Sequence, residues 1–171
     1  MKIPFYTIVL AGVLAVTISD KAFTAARSEE PLTVSIKRVT LDVAIRIGKA
    51  AIDKCRAEGV QITVTVVDRG GHEQVVMRDT LAMDASIPIS KMKAYTAMVF
   101  NTPTLGLVGR FKGAYSVPKL DSLIISPGGV PISIAGNIMG GVGVSGAPSG
   151  LTDESCALAG LAAVREDLEM E

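Results

Sequence analysis

The chain has 171 residues, with 49% hydrophobic and 20% charged residues, enough apolar material for one compact domain with a real core. Its 17 basic and 17 acidic residues cancel, and aromatic residues make up only 4% with no tryptophan. A basic stripe and stacking platforms are both missing, so nucleic acid is excluded as a partner.

Met1-Lys2 opens with a positive charge, Ile3 to Ile18 is an almost wholly apolar run, and Thr24-Ala25-Ala26 supplies small residues before Arg27. That order predicts a secretory signal peptide over 1–26, cleaved near Ala26. The apolar run is short for a membrane span and no second one follows, so no membrane association is expected after cleavage. An uncleaved N-terminal anchor is the alternative. Either way the domain is expected outside the cytoplasm, periplasmic or secreted. Residues 27–39 form an N-terminal extension and 40–171 the folded domain.

Thr40 is placed to cap a helix, after which Leu41, Ala44, Ile45, Gly48, Ile52 and Cys55 recur at helical spacing up to Gly59. Gln61 to Asp68 alternates and is rich in β-branched residues, which predicts a strand. Arg69-Gly70-Gly71-His72 predicts a hairpin turn into a second strand, Glu73 to Arg78. A loop leads to a helix over 89–100, with Ala94, Tyr95, Met98 and Val99 as its apolar stripe. Asn101-Thr102-Pro103-Thr104 breaks it, and Thr104 is expected to cap a short helix over 105–111. Strands follow at 122–126, 130–135 and 138–144, the last two joined through Gly136-Asn137. Thr152 is expected to cap a final helix with Cys156, Ala159, Gly160 and Ala163 on its apolar face. The expected fold is therefore α/β (α+β): a profilin-like α-β-α sandwich with a five-stranded antiparallel sheet and the N- and C-terminal helices on one face.

Gly141, Gly143 and Gly146 form G-x-G-x-x-G, the spacing of a dinucleotide fingerprint. That fingerprint must follow the first strand of a parallel βαβ unit. Here it ends the last strand, with one helix remaining, so a coenzyme site is rejected. The glycines are expected to permit close packing of strand against helix and an unusual loop.

Ser90-Lys91-Met92-Lys93 matches S-x-x-K, but its S-D-N and K-T-G partners are absent, so a penicillin-recognising nucleophile is rejected. His72 is the sole histidine; solvent exposure in its turn is the plain reading, and a metal, haem or general-base role the sharper one. Asp68 either caps the hairpin turn or ligates a cation. Asp68, Glu73 and Asp79 are too scattered for a calcium loop. Cys55 and Cys156 read as two buried free thiols, or as a disulfide if their helices are neighbours; no C-x-x-C is present.

The stretches Val64-Thr65-Val66-Val67-Asp68-Arg69-Gly70-Gly71, Ser90 to Ala97, Asn101-Thr102-Pro103-Thr104, Pro127 to Ile132 and Gly141 to Ala147 together resemble the haem-binding GlcG/HbpS family, also called the haem-degrading domain family. The resemblance spans about Leu41 to Val164 and is closest to the extracellular haem-binding branch. It implies the profilin-like fold and homo-oligomers, often octamers. It implies haem, or a related tetrapyrrole, as cofactor and partner, and a sensor kinase of a redox-sensing two-component system as a further partner. The threonine of the N-x-P-T stretch, here Thr104, is implied as a contact to haem iron. Lys91, Lys93, Arg110 and Lys112 flank that region as candidate partners of the propionates. The expected function is thus an exported haem-binding protein for haem or iron sequestration, or an accessory of a redox sensor, with haem degradation within the family's range. Whether it is an enzyme stays open. The alternative is an enzyme acting on a small organic acid or carbonyl substrate, using Lys91, Asp68 or His72.

Overall fold

A computed structural model of the protein describes residues 31–113 and 117–171. The expected signal peptide lies outside the described residues. Contacts divide the chain at Val34, and every element below belongs to the unit Ser35–Glu171. No helix among the described residues is long and apolar enough to cross a membrane.

Helix α1 runs from Leu41 to Ala57, with the Thr40 hydroxyl accepting from the Val43 N–H at its start. Strands β1 (Thr63–Asp68) and β2 (Glu73–Arg78) follow as a hairpin. Helix α2 spans Ser86–Phe100, beginning three residues before the expected 89. It ends at Asn101 in the left-handed conformation, φ 45°. Strands β3 (Gly129–Ile134) and β4 (Asn137–Ser145) form the second hairpin, and α3 (Gly150–Glu169) closes the chain. The cap of α3 is Ser149, whose hydroxyl accepts from the Leu151 N–H, not the expected Thr152.

The sheet is antiparallel throughout and ordered β2-β1-β4-β3. It has four strands, not the expected five. In the segment 122–126 the Ile124 N–H donates to the Thr96 hydroxyl of α2 at 3.0 Å, and the Leu123 N–H to the Leu120 carbonyl. The segment is thus fastened to a helix and forms no ladder. Thr104 likewise opens a short 3₁₀ turn, Thr104–Leu107, with no side-chain cap, in place of the expected helix over 105–111.

Strand alternation divides the core into two layers. Val64, Val66, Val130, Ile132, Val142 and Val144 face α1 and α3 and form the main core with Ile47, Ala51, Ala157, Leu161 and Val164. Of the expected α1 stripe, Ala44, Gly48, Ile52 and Cys55 are buried, Leu41 and Ile45 are exposed, and Ile47 and Ala51 join the buried face. On α3, Leu158 and Ala163 point to solvent and Ala157 and Val164 inward. The two helices cross closely at Gly160, where a methyl would stand 2.6 Å from the Ile47 carbonyl oxygen. Cys55 and Cys156 are both fully buried at this crossing and form a disulfide, Cα–Cα 5.6 Å, which corrects the free-thiol reading. Helix α2 covers the opposite face, against Thr63, Thr65 and Val67 of β1 and the glycines of β4.

Candidate functional site

Two of the three motif glycines, Gly141 and Gly143, belong to the contact between α2 and the sheet; Gly146, at φ 129°, turns past the Gln61–Ile62 backbone instead. Gly141 and Gly143 alternate with Val142 and Val144 along β4, so both glycines face α2. A methyl at Gly143 would collide with the Ser90 carbonyl oxygen and the Ala94 nitrogen; one at Gly141 would collide with the Ala94 carbonyl oxygen. A helix backbone therefore rests directly on a strand backbone. Hydroxyls seal the contact: Thr63 with Ser86 at 2.6 Å and Thr65 with Ser90 at 2.8 Å, all buried. These pairings satisfy groups that would be costly to bury alone. They also occupy Ser90, which donates to the Ile87 carbonyl as well, so the S-x-x-K pattern holds no nucleophile–base pair.

At its other edge α2 meets a buried polar junction. The Lys93 ammonium lies 2.7 Å from Asp153 Oδ2, with both side chains 5% exposed or less. The second oxygen of Asp153 accepts from the Ala147 N–H at 3.0 Å. Burial pushes the Asp153 carboxyl above its ordinary range, with Lys93 opposing. Beside it, Glu154 Oε2 accepts from the N–H groups of Leu105 and Gly128, each at 3.0 Å. Thr104 is fully buried, and its hydroxyl accepts from the Gly129 N–H at 2.8 Å. Four separate pieces of chain are joined here: α2, the 3₁₀ turn, the start of β3 and the first turn of α3. No sequence signal singled out Asp153 or Glu154; acids in a first helical turn ordinarily read as complements to the helix dipole.

The candidate residues divide into three groups. The Lys93 backbone carbonyl and the Thr104 side chain both border Gly129, while the Lys93 ammonium lies beside Gly128, held by Asp153. Lys91 turns to the opposite side and pairs with Glu73 of β2 at 2.5 Å. Arg110 and Lys112 are exposed on the chain after the 3₁₀ turn, as are Val108 after it and Leu105 within it. Phe111 packs against Phe100 at 5.3 Å between ring centroids, and the Arg110 guanidinium stands 5.9 Å from the Phe111 centroid.

His72 is exposed, with Nδ1 3.5 Å from Asp68 Oδ1. Asp68 caps its own hairpin: Oδ1 accepts from the Gly70 and His72 N–H groups at 2.7 and 3.0 Å, and Oδ2 pairs with Arg38 at 3.2 Å. Burial raises the Asp68 pKa, but these hydrogen bonds and charges outweigh it and leave the carboxyl below its usual range. No cluster of three metal-ligating side chains occurs among the described residues.

Three comparisons with known proteins converge. Residues 39–162 match the family of haem degrading proteins like HbpS. An uncharacterized 15.0 kDa protein in the dhaT-dhaS intergenic region of Citrobacter freundii is 31% identical over 116 residues, covering 65% of this chain and 82% of that one. HbpS of Streptomyces reticuli, solved as a double mutant, superposes with a TM-score of 0.73 at 34% identity, over 82% of this chain and 94% of that one. PduOC, solved as a complex with heme, superposes with a TM-score of 0.69 at 27% identity, over 74% and 94%. The chain belongs to the HbpS-like haem degrading protein family.

Proposed function

We propose that this protein is an exported haem-binding protein that lays a tetrapyrrole against the segment 99–112. The observation that carries this reading is the chemistry of that segment. Val99, Leu105 and Val108 are exposed apolar side chains, the Phe100–Phe111 pair offers aromatic surface, and Arg110 and Lys112 are exposed beside it. Haem is a flat apolar plate with two carboxylates, so it fits such a surface. The solved relative that holds heme supports the same reading.

Haem brings redox-active iron to the site; the chain's own residues bind and orient it. Thr104 is the iron contact that the family resemblance implies. In this conformation its hydroxyl is held by Gly129, so reaching a ligand costs that hydrogen bond and a shift of the 3₁₀ turn. His72 is the second candidate, because Asp68 beside Nδ1 would leave Nε2 for a metal. The buried Cys55–Cys156 disulfide supports an oxidising compartment and hence export. Exposed Leu41, Ile45, Leu151 and Leu158 on α1 and α3 support self-association into a homo-oligomer.

A haem titration of Thr104→Ala, His72→Ala and the Arg110→Gln/Lys112→Gln double variant, read by absorbance, locates the site. The double variant is expected to weaken binding about tenfold, from two charge-assisted contacts. A Soret change lost in one single variant and kept in the other identifies the ligand. Saturable binding unaltered in all three variants would remove the site from this segment.

A further inference from the structure

The extended chain before α1 meets the turns of both hairpins at a second concave place. A notch of about 250 Å³ is lined by Ser35, Lys37, Arg69, Gly136 and Asn137, among others. One of its lining residues, Arg69, reaches the Met98 sulphur just before the 99–112 segment, but neither Arg69 nor Lys37 has a role in the haem reading.

Its chemistry is one-sided. Two basic residues, Lys37 and Arg69, line the notch, and no acidic residue does. The nearest acid in sequence, Asp68, is already committed: its two oxygens are engaged by the N–H groups of Gly70 and His72 and by Arg38. Arg69 consequently has no carboxylate partner among the described residues. Its one side-chain hydrogen bond goes to the Met98 sulphur at 3.5 Å, a weak acceptor for a guanidinium with five N–H donors. Asn137 adds an amide donor and Ser35 a hydroxyl. The β3–β4 turn holds its shape through positive φ at Ala135 (47°) and Gly136 (81°), the backbone of a tight two-residue hairpin. A donor-rich, positively charged notch calls for an acceptor-rich anion. Its volume is small beside the pockets that hold drug-sized ligands, which begin near ~300 Å³.

We propose that this notch binds a small oxyanion, a carboxylate or a phosphate, held by Lys37 and Arg69 with Asn137 and Ser35 as supplementary donors. An Arg fork suits two oxygens of either anion, and Lys supplies a point charge.

The test is a titration of the purified protein, without haem, with sodium acetate and separately with inorganic phosphate at constant ionic strength. The readout is the backbone amide NMR signals of Arg69, Gly136 and Asn137. Saturating shifts confined to these residues are expected with at least one anion, and not with chloride. Saturation by acetate alone identifies a carboxylate site, and by phosphate alone a phosphate site. Arg69→Gln and Lys37→Gln, both exposed positions, should each weaken binding tenfold or more while leaving Tm unchanged. Shifts that never saturate with either anion, or that persist in the Arg69→Gln/Lys37→Gln double variant, would overturn the proposal. Because haem is absent throughout, either result is independent of haem binding.

Discussion

Replacing Gly143 by alanine tests the packing account of the glycine motif. The added methyl would lie under 3.0 Å from the Ser90 carbonyl oxygen and the Ala94 nitrogen, and 3.1 Å from the Ala94 Cα. All three are backbone atoms of α2, so no side chain can swing aside. The helix must lift off the sheet, or β4 must sink into the main core. Overpacking of this kind costs about 1–3 kcal/mol. Lifting α2 also strains the buried Thr65–Ser90 hydrogen bond, worth about 1 kcal/mol. A loss of about 2–4 kcal/mol is expected. Gly59→Ala is the control: nothing lies within 4 Å of its methyl, and only the positive φ of 73° opposes it, at roughly 1–2 kcal/mol. Urea unfolding followed by far-UV circular dichroism measures both. Gly143→Ala costing no more than Gly59→Ala would refute the claim that α2 rests on the β4 backbone.

The buried pair gives a second prediction. Lys93→Met strands the Asp153 carboxylate and should cost about 3–5 kcal/mol, as losses of one buried ion-pair partner do. Asp153→Asn in that background should recover part of the loss, since the amide is neutral and still accepts from Ala147; a single-variant cost below about 1 kcal/mol would contradict the burial of this pair. A third concerns pH. Arg56 clamps Asp79 with two 2.7 Å hydrogen bonds and holds its pKa down to about 2, against an ordinary 3.8. The folded value is depressed, so the stabilisation is complete above 3.8 and fades as pH falls through about 2. The Tm gap between wild type and Asp79→Asn should therefore be widest at neutral pH and close in that acid window; a gap independent of pH would contradict the clamp.

Local signals were legible where local physics decides. Thr40, the Val64-to-Val67 alternation and the Gly70-Gly71 turn each specify their own element through capping, pleat and positive φ. The errors lie where distant chain decides. Ser122 to Ser126 has strand-like composition, but its Ile124 N–H goes to Thr96 of α2. On α1 the centre of the stripe was legible in Ala44, Gly48, Ile52 and Cys55, but its margin was not: α3 packs on Ile47 and Ala51 and leaves Leu41 and Ile45 exposed. The disulfide depended on that same helix crossing, across 101 residues of sequence. At the candidate site, the sequence placed Lys91, Lys93 and Thr104 in one region, yet Lys91 and Lys93 sit on opposite edges of α2 with different acidic partners. Two residues of spacing on a helix separate side chains by more than half a turn, which spacing alone already implies.

Haem binding is the central claim, and a titration of the wild-type protein with haem tests it most directly. Absorbance should show a Soret band that shifts and saturates at a fixed ratio of haem to chain. A signal that grows linearly with added haem and never saturates would contradict the account.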